Sequence, residues 1–166
     1  NLYNRRYFKK MLDMEFKRSI RYKRPLSLLM VDADHFKRLN DVCGHLVGDR
    51  TLQKLAHLLK SNLREVDVVA RYGGEEFIIM LTDTNFASAK YVGEKLCALV
   101  RKHIIIDAEI TEVTVSVGVS STPACAESAE ELIHSADVAL YQAKESGRNR
   151  VVGANLISLS PVRGEG

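Results

Sequence analysis

The chain has little of what marks a special scaffold. Only 3 of its 166 residues are proline and 10 are glycine, too few for a collagen-like or low-complexity protein. Its three cysteines, Cys43, Cys97 and Cys125, form no CxxC pair and leave an odd number. That excludes a disulfide scaffold and fits reduced thiols in the cytoplasm, either in a free protein or in the cytoplasmic part of a membrane-anchored one. No apolar run approaches the ~18 residues of a membrane-spanning helix. The chain opens on polar and basic residues rather than on a basic-then-apolar leader, and no membrane contact is expected of it. Neither sign of charge dominates: 24 Lys and Arg face 21 Asp and Glu, a formal net charge of +3. This balance tolerates a phosphate-bearing ligand without requiring one. Seven basic residues lie between Lys9 and Arg24, but no aromatic pattern accompanies them, so they read as a solvated helix face and not as a nucleic-acid site.

What is present suits one globular domain. The chain is 46% hydrophobic and 27% charged, and at this length a fold can bury about two-thirds of its unfolded surface. Residues 1–152 are expected to form the domain, and 153–166, rich in Gly, Ser and Pro, a disordered or loosely packed tail. A helix is predicted over Arg5 to Lys23, with Tyr7, Phe8, Met11, Leu12, Phe16 and Ile20 on its apolar face and Pro25 ending it. Leu26 to Val31 is a continuous apolar run that suits a central strand. A second helix is expected from Gly48-Asp49 through Leu63. Strands over Val66 to Ala70 and Phe77 to Leu81 flank Gly73-Gly74 as a hairpin. Phe86 to His103 reads as a helix. Val113 to Val119 alternates as a strand. Ser128 and Glu131 form a capping box for a last helix that runs to about Ser146, with Gly147 as its left-handed stop. The order implies an α/β (α+β) fold with a mixed sheet and helices packed on it.

Four constellations carry chemistry. Asp32 and Asp34 end the first apolar strand on one face, either as a hard-cation site or as solvated strand-end acids, one of them an N-cap. Glu75 and Glu76 adjoin Gly73 and Gly74, whose bare backbone suits the close approach of phosphate oxygens; the alternative is a plain two-glycine turn with exposed acids. The connection from Lys37 through Asn40 and His45 to Asp49 gathers a cation, an amide, an imidazole and a carboxylate. A carboxylate there can accept from guanine N1–H and its amino group, an edge adenine does not offer; Asp49 reads equally as a helix N-terminal acid. Lys144 and Arg148, one turn apart, suit a polyphosphate or complement the helix dipole.

Together these segments closely resemble the GGDEF domain of diguanylate cyclases. The ordered motifs are Asp32-Ala33-Asp34-His35-Phe36-Lys37, Asn40-Asp41, Gly44-His45, Gly48-Asp49, Arg71-Tyr72-Gly73-Gly74-Glu75-Glu76-Phe77, and Ala136-Asp137 with Ala139-Leu140-Tyr141. The resemblance implies a palm like that of class III nucleotide cyclases, with a central mixed, mostly antiparallel sheet. It implies condensation of two GTP into cyclic di-GMP with release of pyrophosphate. Asp32, Glu75 and the Ala33 carbonyl would hold Mg²⁺ or Mn²⁺. Asn40, Asp49 and His45 would read guanine, and Lys37, Lys144, Arg148 and the Gly73-Gly74 backbone would hold phosphates. Glu75 or Glu76 would assist deprotonation of the attacking hydroxyl. Two domains must face each other as a homodimer, and an upstream sensory or dimerisation domain is expected beyond this piece. Arg64 and Asp67 resemble the family's product-binding inhibitory site; the alternative is a surface ion pair. A silent module that binds GTP or cyclic di-GMP is the competing function. An RNA-binding fold would need exposed strand aromatics, which Val66 to Ala70 and Val113 to Val119 lack.

Overall fold

The computed structural model describes residues 2–103 and 112–155. In chain order these form β1 (Tyr3–Asn4), α1 (Arg5–Tyr22), β2 (Leu26–Ala33), α2 (Phe36–Cys43), α3 (His45–Ser61), β3 (Val68–Arg71), β4 (Glu76–Thr82), α4 (Phe86–His103), β5 (Val115–Thr122), α5 (Ala129–Glu145) and β6 (Val151–Gly153). The strands make one sheet in the order β1-β3-β4-β2-β5-β6. The four inner strands pair antiparallel, and each outermost strand pairs parallel to its neighbour. The sheet is therefore mixed and mostly antiparallel, as the resemblance implies.

All eight residues of β2 are buried, which explains its unbroken apolar run. Leu29, Val31 and Ala33 enter a core shared with α2, α3 and α4. Leu26, Leu28 and Met30 enter a second core, under α1 and α5. Asn4 caps α1 by accepting from the Tyr7 amide at 2.8 Å. Its apolar face is narrower than predicted: Phe8, Leu12 and Phe16 are buried, but Tyr7 and Ile20 are exposed. Buried Ser19 completes the stripe, and its hydroxyl returns to the Phe16 carbonyl at 2.8 Å.

The segment after β2 departs from the sequence reading. In place of one helix from Gly48, α2 and α3 meet at Gly44, whose φ of +86° needs glycine. Gly48 lies inside α3 and is small for packing: a Cβ there would sit 1.8 Å from Asn40 Oδ1 and 3.2 Å from the Phe36 ring. The other elements lie within a few residues of expectation. Ser128 caps α5 by accepting from the Glu131 amide at 3.1 Å, while Glu131 accepts from the Glu127 amide at 2.8 Å. The strand β6 and the edge strand β1 were not expected. Ala154, just past β6, is buried and donates to the Val119 carbonyl at 2.7 Å. The rest of the expected tail, 156–166, lies outside the described residues. Among these, the three cysteines are free, and burial pushes the Cys97 thiol up to about 12, which leaves it unreactive.

Candidate active site

Register brings the acids together. Asp32 on β2 stands opposite Glu76 on β4, and the Ala33 amide donates to the Glu75 carbonyl at 3.2 Å. Both Asp32 and Glu76 fall on the α1/α5 side of the sheet, by alternation from Met30 and Ile78. On α5, Leu132, Ala136 and Leu140 form the buried stripe, and the next step of four reaches Lys144. Its Nζ donates to Asp32 Oδ2 at 2.7 Å. Asp32 is only 3% exposed.

The electrostatics follow from that burial. Desolvation pushes the Asp32 carboxyl above its ordinary range, while the Lys144 ammonium pulls it back. Glu75 and Glu76 are also pushed up, first by desolvation and then by the negative charge of Asp32. Glu76 stands across the ladder from Asp32, so the two carboxyls raise each other's cost of ionising. Three acids thus crowd around one lysine, and positive charge is in short supply. Among the described residues no three His, Cys, Asp or Glu side chains form a ready-made metal cage. The donors are nonetheless all oxygen and share a deficit of positive charge, which suits a hard divalent cation.

Asp34 does something else. Its carboxylate accepts from Thr114 Oγ1 at 2.7 Å, Ser116 Oγ at 2.6 Å and the Asn149 amide at 3.0 Å. It is neither a free cation ligand nor an N-cap; His35 occupies the N-cap of α2 without a side-chain bond. The bond to Asn149 pins the turn after α5. There Gly147 (φ +124°), Arg148 (φ 61°) and Asn149 (φ 47°) all have positive φ, so the predicted left-handed stop extends over three residues. Arg148 lies in this turn, beyond α5 rather than on it. Thr114, Ser116 and Asn149 escaped the sequence reading, since small polar residues carry no motif of their own.

The glycine hairpin forms as expected between β3 and β4. Tyr72 and Gly73 both donate to the Glu76 carbonyl, at 2.8 and 3.3 Å, and the Arg71 guanidinium donates to the Gly74 carbonyl at 2.6 Å. The Gly73 amide is therefore already engaged. Gly74 lacks a positive φ, and a Cβ added there would meet nothing. Among the described residues, neither backbone nor packing asks for glycine at this position.

On the α2–α3 connection, Lys37 lies exposed in the first turn of α2 and His45 exposed at the start of α3. Asn40 packs against Gly48, and its Oδ1 is buried without a hydrogen-bond partner. Asp49 is exposed and one turn inside α3, so it is not the helix N-terminal acid that the sequence left open. Arg64 and Asp67 lie apart from these groups, before β3. The Arg64 guanidinium grips Asp67 through Nε–Oδ2 (3.2 Å) and NH2–Oδ1 (2.7 Å) and also donates to the Thr82 carbonyl at 2.8 Å. The Asp67 side chain is 3% exposed but that of Arg64 is 53% exposed.

Residues 1–150 match the family model for "Diguanylate cyclase, GGDEF domain". The chain belongs to the GGDEF family. This GGDEF domain is 47% identical over 130 residues to Diguanylate cyclase A of Treponema denticola, covering 78% of this chain and 35% of that protein. It is 42% identical over 159 residues to the response regulator PleD of Caulobacter vibrioides, covering 92% of this chain and 34% of that protein. It thus spans about a third of the length of these relatives. Among solved structures it resembles the active GGEEF domain of a diguanylate cyclase from Vibrio cholerae, at 34% identity and a TM-score of 0.88, covering 93% of this chain and 99% of that one. It also resembles the GGDEF domain of DgcB from Caulobacter crescentus, solved in complex with c-di-GMP, at 30% identity and a TM-score of 0.86, covering 92% and 89%.

Proposed function

We propose that the protein is a diguanylate cyclase that condenses two GTP into cyclic di-GMP and two pyrophosphates. The observation that carries this reading is the convergence of Asp32, Glu75 and Glu76 at one sheet end, each pushed up by burial. In each half-reaction a 3′-hydroxyl oxygen of one GTP bonds to the α-phosphorus of the other. The bond to pyrophosphate breaks and the hydroxyl proton leaves to a base. A divalent cation held by Asp32, Glu75 and the Ala33 carbonyl would supply charge neutralisation at that phosphate. Glu75 or Glu76, both with raised proton affinity, would take the proton.

Asn40, with an unpartnered buried Oδ1, and Asp49, on the residue after Gly48, offer polar groups for a guanine edge, with His45 beside them. Lys37, Lys144 and Arg148 supply positive charge for the triphosphate. Gly74, where an added Cβ would meet nothing, leaves the hairpin open to the close approach of a phosphate. One domain presents one GTP, so two domains must face each other as a homodimer, and an upstream domain would govern that meeting. Product would inhibit through Arg64 and Asp67. A silent binding module would retain GTP but form no product. Chromatography of products after incubation with GTP and Mn²⁺ separates the two. Glu75→Ala should lower turnover by about 10²-fold or more while far-UV circular dichroism stays unchanged; a fully active variant would remove Glu75 from the site.

A further inference from the structure

Among the described residues, Lys144 is the ammonium that pairs with the buried carboxyl cluster. We infer that it is the built-in counter-ion of Asp32, which a divalent cation displaces and thereby releases toward the nucleotide phosphates. This rests on the cyclase reading and adds to it a linkage between cation and triphosphate binding through one side chain.

The geometry is specific. Asp32 is 3% exposed, and the only cation hydrogen-bonded to its carboxylate among the described residues is Lys144 Nζ, at 2.7 Å. A buried carboxylate cannot be left uncompensated. A lysine supplies this compensation in a form that can be withdrawn, since it is a point charge on a flexible four-carbon stem. The Lys144 side chain is 29% exposed, so part of it already borders solvent. Its stem continues the stripe of Ala136 and Leu140, and α5 packs closely on β5 at Gly118, so the root stays fixed while the tip is free to swing. A divalent cation and Lys144 cannot both satisfy the same carboxylate oxygen at contact distance without repelling each other.

Two consequences follow. The cation alone binds more weakly than its donors would allow, because it must displace a lysine. Triphosphate repairs that loss by accepting the displaced ammonium, so each ligand strengthens the other to the same degree. Arg148 plays no such part: its turn is held through Asn149 by Asp34, not by Asp32.

The test uses the intact chain and reads Mn²⁺ binding directly, by electron paramagnetic resonance of the free ion, without turnover. Lys144→Met should bind Mn²⁺ alone about tenfold more tightly than wild type. It should also lose most of the enhancement that a non-reactive GTP analogue gives to Mn²⁺ affinity. Asp32→Asn should abolish tight Mn²⁺ binding in either background. Equal or weaker Mn²⁺ affinity in Lys144→Met would overturn the inference. Should that variant not fold, the wild-type protein decides. Acetylation of Lys144, followed by mass spectrometry, should speed up severalfold as Mn²⁺ saturates the site, with Lys9 and Lys54 as unchanged references. Unchanged Lys144 reactivity would overturn it as well. Failure of the cyclase reading is a different result: no cyclic di-GMP from GTP, whatever the Mn²⁺ affinities.

Discussion

At the scale of single residues, the acids of this protein are sorted by their partners. Asp34 has three donors and serves the turn after α5, whereas Asp32 has one lysine and two acidic neighbours. An acid whose pKa is raised in the folded chain holds its proton more tightly there than when unfolded. Ionising it therefore costs stability as pH climbs from the unfolded value, about 4.3 for Glu, through the raised one, and costs nothing below. Glu76→Gln removes that cost. The variant should melt a few degrees above wild type at pH 8, and the gap should close as pH falls toward 4; differential scanning calorimetry across pH checks both. Arg64 yields a separate expectation. Its guanidinium is half exposed while it grips Asp67, so it keeps donors for an outside ligand. Arg64→Ala should abolish feedback by added cyclic di-GMP and leave the initial rate within about twofold; unchanged inhibition places the inhibitory site elsewhere.

At the scale of elements, α5 lies directly on β5. A Cβ on Gly118 would fall 2.1 Å from the Ala136 carbonyl oxygen and 2.3 Å from the Leu140 amide nitrogen. Both are backbone atoms, so relief requires α5 itself to move, and Lys144 moves with it. Gly118→Ala should cost about 3 kcal/mol and lower the melting temperature by roughly 6–12 °C. Gly74→Ala, where a Cβ meets nothing, should leave the melting temperature unaltered. These elements also show what a sequence discloses. Long periodic segments such as α1, α4 and α5 were legible because burial of one face sets their spacing. The helix α2 was not, since eight residues show barely two turns of pattern and buried Gly48 imitated a helix start. The strands β1 and β6, of two and three residues, draw their order from a neighbouring strand rather than from any alternation of their own. Motif order singled out Asp32, Glu75 and Glu76, which strand register brings near one another in the candidate site. The pairing of Lys144 with Asp32 crosses 112 positions; its only trace was the four-residue step from Leu132 through Ala136 and Leu140.

At the scale of the whole molecule, the candidate site lies at one end of the sheet, and under the proposed reaction its acids would serve one cation and leave the second nucleotide to another copy. Cyclic di-GMP formed per protein per minute should therefore rise with protein concentration until pairing saturates. A specific rate that stays flat from nanomolar to micromolar protein would mean that a single copy completes the reaction. The manner of pairing follows from the borders of the sheet. Among the described residues its outermost strands run two and three residues, Tyr3–Asn4 and Val151–Gly153, and a rim that brief offers another backbone little ladder to extend. The described sheet is thus a poor template for zipping copies side by side into a continuous ribbon. Copies that meet for the proposed reaction would therefore touch through side chains and nucleotide, and a contact made of those parts loosens once the nucleotide is spent.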